Sequence, residues 1–260
     1  YRLVGSEMCI RDRFDIDTKR VLHTPITNVE ELKFDLIRQL EELDRDDDVI
    51  VVIDSIGNLA SKKELEDTFN EKSVADMSRA KSLKGLFRMT TPYLKMKNIP
   101  LLAVNHTYKE IGLFPKDVVG GGTGIYYSAD NIWIIGRRQQ KTGTEVTGYE
   151  FVINIEKSRY VKEKSKIPIS VSWEGGIEEF SGLLDVALAG GYVVKPSNGW
   201  YQVVNKESGE MIGSKLREKD TLTGEFWNPI FADTDFKDFV KNQYSIGLTS
   251  KVDMEEIVSE

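Results

Sequence analysis

Short apolar runs and longer stretches with helical spacing divide this chain into elements. Val49 to Ile53 reads VIVVI. An unbroken, mostly β-branched run this short predicts a strand buried on both faces of a parallel sheet. Ile99 to Val104 predicts a second such strand. Between them, from about Val74 to Lys97, runs a helical pattern with Arg79, Lys81, Lys84 and Arg88 among its apolar positions. Upstream, Val21 to Thr24 predicts a short strand, and Thr27 with Glu30 has the form of a capping box. Val29, Leu32, Leu36, Ile37, Leu40 and Leu43 then mark one helical face. Strand, helix and strand in that order predict the right-handed parallel unit of doubly wound folds. Downstream, Asn131 to Ile135, Tyr149 to Ile155 and Ile167 to Trp173 predict strands joined by short glycine turns, an antiparallel extension of the sheet. A helix from about Ser181 to Ala189, a small hairpin over Tyr192 to Val204, an aromatic helical stretch from Phe226 to Gly247 and an acidic tail from Val252 to Glu260 complete the chain.

Composition narrows the class. A length of 260 residues suits one α/β domain with an appendage. The single cysteine, Cys9, excludes internal disulfides, and two histidines, His23 and His106, leave no histidine cluster for a metal. No apolar run reaches the roughly 18 residues that would span a membrane. A reduced, cytoplasmic setting is the expectation. The net charge of −7 argues against a general polyanion binder, so any nucleic-acid contact belongs to a local patch. Lys157 to Lys166 is such a patch, with five basic residues and one acidic one. Residues 1–13, YRLVGSEMCIRDR, show neither periodicity and resemble translated adapter sequence, so they are set apart as a non-native junction. On that expectation the natural protein is longer at its amino end.

Candidate chemistry gathers at strand ends. Asp54-Ser55 closes the first apolar strand and Asn105-His106 the second. Open α/β sheets bind ligands at the carboxyl ends of their strands. An apolar strand ending in Asp has the form of a Walker B site, whose carboxylate holds the water shell of Mg²⁺ on a nucleotide. The other reading is an Asp that caps the next turn. His106 reads either as a hydrogen-bonded structural residue or as a sensor of what lies beside Asp54. Thr107 to Gly124 is a long connection carrying Gly120, Gly121, Gly122 and Gly124, permissive for close backbone approach to a ligand. Lys157 and Arg159, two apart on a strand end, share one face, and within that segment no acidic residue pairs with both.

The stretches VIVVIDSIGNLASKKELEDTFNEK, IPLLAVNHTY, GGGTGIYYSAD and INIEKSRYVKEKS, in this order, resemble the UvsX recombinases of T-even-like phages, a branch of the RecA superfamily. The resemblance runs from about Phe14 to about Gly247. It implies a RecA-like ATPase core with a mostly parallel central sheet flanked by helices, an antiparallel extension and a small C-terminal region. Residues 14–190 would form the ATPase and DNA-binding core, and 191–260 the C-terminal region. It further implies ATP and Mg²⁺ as cofactors, and self-association into a helical filament on single-stranded DNA that pairs with double-stranded DNA. Phage single-strand-binding and loading proteins would be partners, in the cytoplasm of an infected bacterium. Asp54 matches the Walker B carboxylate and Ser55 its neighbour. Asn105 and His106 match the pair that senses the γ-phosphate. Asn58 lies in the first DNA loop, which spans Asn58 to Asp76. Phe114, Gly120, Gly121 and Gly122 lie in the second, Thr107 to Gly122, where Phe114 is a candidate for stacking on bases. Lys81 and Arg88 fall where basic residues meet DNA phosphates. Lys157 and Arg159 match cations that reach a neighbouring subunit's ATP.

Two parts of the family pattern are missing. Neither the P-loop GxxxxGK[ST] nor the family's catalytic Glu on the strand after it occurs in the 260 residues. Without the P-loop's backbone amides and lysine, nucleotide binding lacks its main anchor. The expectation is therefore a fragment of a strand-exchange recombinase, inactive as given. Two other readings stay open: a RecA-fold ATPase of another kind, such as a helicase motor, and a P-loop-less filament partner.

Overall fold

The computed structural model describes residues 17–70, 78–113 and 115–246. The chain divides after Ser128 into two compact units.

The first unit is built on two helices of similar direction. Helix α1 (Val29–Glu42) is capped by Asn28, whose side chain accepts the Glu31 N–H at 2.9 Å. The cap therefore sits one residue beyond the expected Thr27–Glu30 box. Asn is the stronger cap, and it displaces Thr from the role. Glu31 reaches back instead to the Thr27 N–H at 2.8 Å and the Thr27 hydroxyl at 2.7 Å. Glu30, freed from the cap, ties three helices together. It accepts from the Ser82 hydroxyl at 2.5 Å in α3 (Ser78–Lys97) and from the Lys62 N–H at 2.8 Å at the start of α2 (Lys62–Phe69). At the other end, the Lys97 ammonium in α3 donates to the Glu41 and Leu43 carbonyls that close α1.

Leu32, Leu36 and Leu40 of α1 meet Leu83, Leu86 and Phe87 of α3 over a parallel strand pair, β1 (Val51–Ile53) and β2 (Leu101–Ala103). The predicted strand over Val21 to Thr24 is absent, and this segment is irregular. The parallel pair is instead joined by α3. Burial on both faces is also absent. Ile53 is 8% exposed on the helix side, whereas Val52 on the opposite face is 56% exposed. Successive strand residues point to opposite faces, and α1 and α3 line only one of them.

The second unit opens with a four-stranded antiparallel sheet in the order β5 (Asn131–Thr142), β6 (Glu145–Ser158), β7 (Lys166–Ser172) and β8 (Gly176–Ile177). Both leading strands are longer than expected, because polar residues such as Arg137 and Glu145, outside the apolar runs, continue the ladder. Cross-strand rows Ile135–Ile153–Ile167 and Arg137–Phe151–Ile169 place a run of apolar side chains on one face. The sheet is followed by a module of α5 (Leu183–Gly190), β9 (Val193–Ser197), β10 (Trp200–Val204), β11 (Met211–Arg217), α6 (Gly224–Phe231) and α7 (Thr234–Tyr244). Its core is aromatic, with Tyr192, Phe226, Trp227 and Phe236 buried together. The expected single helix over Phe226 to Gly247 is two. Asp233 interrupts it by accepting the Asp235 N–H at 2.9 Å and capping α7. The predicted hairpin gains a third strand, β11. The Lys162 ammonium donates to the Asn242 and Gln243 carbonyls at the end of α7, a favourable place for a cation. The junction at 1–13, the start of the expected Val74 helix and the acidic tail lie outside the described residues.

Candidate functional site

The parallel register of β1 and β2 pairs Ile53 with Ala103, so the two strand ends lie side by side. The ladder runs on past both strands, through Val104 N–H to the Ile53 carbonyl and Ile56 N–H to the Val104 carbonyl, each at 2.9 Å. Asp54-Ser55 and Asn105-His106 therefore emerge at one edge, as their positions after two apolar runs predict. The Asp54–Ser55 peptide is cis. Asp54 is exposed, and its carboxylate makes no hydrogen bond or ion pair among the described residues. The Ser55 hydroxyl is shielded from solvent and has no partner there.

His106 touches the segment that leaves β1. Its Nε2 lies 3.2 Å from Asn58 Oδ1, and its ring packs on Gly57, where an added Cβ would come 2.1 Å from the ring Cδ2. Glycine at position 57 is what lets the imidazole approach. Asn105 clamps the other side. Its side chain accepts the His106 N–H at 2.9 Å and donates to the Gly120 carbonyl at 2.7 Å, while the Gly120 N–H donates to the His106 carbonyl at 3.0 Å. The expected long connection between these points is a hairpin of β3 (Thr107–Lys109) and β4 (Asp117–Val119), with a Lys109–Asp117 ion pair at 2.8 Å across it. Phe114 lies outside the described residues. Gly121 and Gly122 have φ of +90° and +81°, and they turn the chain into α4 (Thr123–Ser128). A Cβ on Gly121 would meet Ile125 Cδ1 at 2.4 Å. These two glycines thus serve the turn and the close packing of α4.

Arg79 separates from the other basic residues of α3. Its guanidinium donates to the carbonyls of Ile56, Gly57 and Leu59 at 3.0, 2.7 and 2.7 Å, pinning the segment that follows Asp54. The sequence placed it among the helix cations but gave no sign of this role. Lys81, Lys84 and Arg88 are exposed. Their spacing of three, four and seven residues sets them on one stripe of the helix.

In the second unit, Lys157 is the last residue but one of β6 and Arg159 follows the strand. Both reach the same turn: Lys157 Nζ donates to the Ala129 carbonyl at 2.8 Å, and Arg159 Nε lies 2.7 Å from Asp130 Oδ1. The sequence segment 157–166 holds no acidic residue able to pair with both. The structure supplies Arg159 with a partner from the turn before β5, which the antiparallel register brings alongside, so the view of two unpaired cations is corrected.

Among the described residues no group of three or more His, Cys, Asp or Glu side chains is placed to hold a metal by itself. A solitary, unpaired carboxylate at a strand end fits Mg²⁺ held mainly through water and nucleotide phosphates, the usual habit of this ion. No described helix is long and apolar enough to cross a membrane.

Comparison with known proteins agrees with this layout. A family model described as the C-terminal domain of the bacteriophage T4 recombination and repair protein matches residues 180–240. The chain is 52% identical over 247 residues to the recombination and repair protein of Enterobacteria phage T4, a match covering 94% of this chain and 62% of that one. It is 26% identical over 203 residues to Protein RecA of Mycoplasma mycoides, covering 75% and 56%. Against Protein RecA of Bdellovibrio bacteriovorus it is 23% identical over 164 residues, covering 62% and 43%. The α/β architecture with polar pairs at adjacent parallel strand ends is that of a RecA-related protein. Within that class the chain is similar to the UvsX-type recombination and repair protein of phage T4. It spans 62% of the length of the T4 relative.

Proposed function

We propose that these residues form the larger part of an ATP-dependent recombinase that coats single-stranded DNA as a helical filament and promotes homologous strand exchange. Such a protein would serve phage recombination, repair and replication in the host cytoplasm, with single-stranded and double-stranded DNA as its partners and phage single-strand-binding and loading proteins beside it. The observation that carries this reading is the wiring of the second strand end. His106 touches Asn58 at the start of one loop, and Asn105 clamps Gly120 at the end of the other. A change felt at that strand end is transmitted to both loops through direct hydrogen bonds.

In this reading Asp54, with Ser55 beside it, orients the water shell of Mg²⁺ on ATP. Bound Mg²⁺ would neutralise charge on the β- and γ-phosphates. Asn105 and His106 report the γ-phosphate. Asn58, Lys81, Arg88, Phe114 and the Gly120, Gly121 and Gly122 backbone face DNA, and the cations make sequence-independent phosphate contacts. Lys157 and Arg159 reach the ATP of the adjacent subunit. Residues 14–190 act as the core, incomplete without a P-loop, and 191–260 as the C-terminal region. With no GxxxxGK[ST] motif in the 260 residues, the chain by itself hydrolyses no ATP. A second reading, a P-loop-less partner that joins or blocks filaments, stands only if the natural gene carries no P-loop.

The test joins residues 14–260 to an amino-terminal segment of a RecA-type protein that carries the P-loop. The chimera is expected to show ATP hydrolysis stimulated by single-stranded DNA and to exchange strands. Asp54→Asn should fold normally and lose most of that turnover. A folded chimera without DNA-stimulated hydrolysis, or an unaffected Asp54→Asn variant, overturns the recombinase assignment.

A further inference from the structure

Asp130 has no part in the function proposed above, yet it is the residue that pairs with Arg159. The antiparallel register pairs Asn131 with Ser158 and Ile132 with Lys157. The residue before Asn131 and the residue after Ser158 are therefore neighbours across the strand ends. Asp130 Oδ1 meets Arg159 at Nε, 2.7 Å away. The contact is one of charge more than of alignment, since that shielded oxygen makes no well-directed hydrogen bond. It occupies the inner edge of the guanidinium. The terminal nitrogens Nη1 and Nη2 make no hydrogen bond among the described residues. A guanidinium held by its inner edge presents its outer fork, the part that grips two oxygens of a phosphate at once.

The platform beneath this pair is fixed. The Ser158 hydroxyl donates to Asn131 Oδ1 at 2.7 Å and accepts the Tyr160 and Val161 N–H groups at 3.1 and 3.0 Å. Lys157 is tethered to Ala129 in the same turn. The backbone on both sides of the ion pair is thereby ordered, and only the long arginine side chain retains freedom. A half-exposed ion pair adds little to folding stability. Its useful effect is on the direction of the side chain.

We propose that Asp130 is a positioning residue for Arg159, restricting its rotamers so that the Nη fork is aimed at a polyphosphate brought by the adjacent subunit. This rests on the reading that Arg159 acts in trans on ATP. Because a carboxylate near a phosphate site also repels the phosphate, the alternative sign is available to experiment.

A double-mutant cycle decides it. Asp130→Ala, Arg159→Ala and the double variant are made in the same chimera of residues 14–260 with a P-loop-bearing amino-terminal segment. The readouts are the half-saturating ATP concentration for filament growth on single-stranded DNA, the maximal hydrolysis rate and thermal unfolding. Supports of this kind behind a functional side chain are typically worth about ten-fold. Asp130→Ala is expected to raise half-saturating ATP by about that factor without shifting the unfolding temperature. In the Arg159→Ala background the same replacement should do nothing further. Should Asp130→Ala fail to fold, Asp130→Asn takes its place in the cycle with the same expectation. Neutral or tighter ATP use by the Asp130 variant, beside a defective Arg159→Ala, overturns the positioning role alone. An equal loss in both backgrounds marks a general structural role and also overturns it. Unchanged ATP dependence in Arg159→Ala removes the trans reading itself, and the inference with it.

Discussion

Glu30 shows how one side chain comes to hold several elements. Burial raises its pKa, and hydrogen bonds from the Ser82 hydroxyl and the Lys62 N–H lower it by more, so the net shift is downward. The folded carboxyl is thus more acidic than the unfolded one. Protonation then favours unfolding. The stability Glu30 contributes is complete above the ordinary value of 4.5 and is lost as pH falls through the lower folded value. Urea midpoints measured from neutral pH downward should therefore fall more steeply for the native sequence than for Glu30→Gln. Equal slopes would show that the carboxylate gains nothing from its bonds to α2 and α3. Arg79 is the same kind of residue on the other side of α3. A lysine could not serve the three carbonyls it meets, because the guanidinium fork spreads its donors.

At the scale of elements, α3 divides its labour by face. Leu83, Leu86, Phe87 and Thr90 are buried, while Lys81, Lys84 and Arg88 line the exposed side. If that stripe meets DNA phosphates, Lys81→Ala and Arg88→Ala should weaken single-strand binding by the chimera. Each should also lower the log-log salt slope by about 0.7, the value for one phosphate contact on a single strand. Titrations at several salt concentrations measure this directly, and an unaltered slope would leave the stripe as a solvated surface. The β3–β4 hairpin is the element the sequence disguised. Its strands are short, and Tyr108, Val118 and Val119 give no alternation long enough to read. What closes it is the Asn105 clamp on Gly120, a contact between residues fifteen apart in the chain.

At the scale of the whole molecule, two apolar sheet faces stand out. Val52 and Leu102 are exposed on the strand pair, and Trp133 and Ile135 on the antiparallel sheet are 54% and 56% exposed. Sheets of α/β proteins are ordinarily covered on both sides, and uncovered apolar patches drive association. The 260-residue chain is therefore expected to self-associate with rising concentration in sedimentation velocity. Trp133→Lys with Ile135→Lys should reduce this with little change in the unfolding temperature, since both side chains are more than half exposed. An unchanged sedimentation profile would absolve that face. The sequence by itself determined the α/β class, helices α1 and α3, the apolar strands and the polar pairs that end them. Those features rest on local periodicity, which neighbouring residues write directly. It also carried the resemblance to the UvsX recombinases, through motifs recurring in order. Only the tertiary structure decided the absence of a strand at Val21 to Thr24 and the three-carbonyl grip of Arg79. It alone paired Arg159 with Asp130. Each of these depends on which distant group arrives alongside, and no spacing along the chain encodes that arrival.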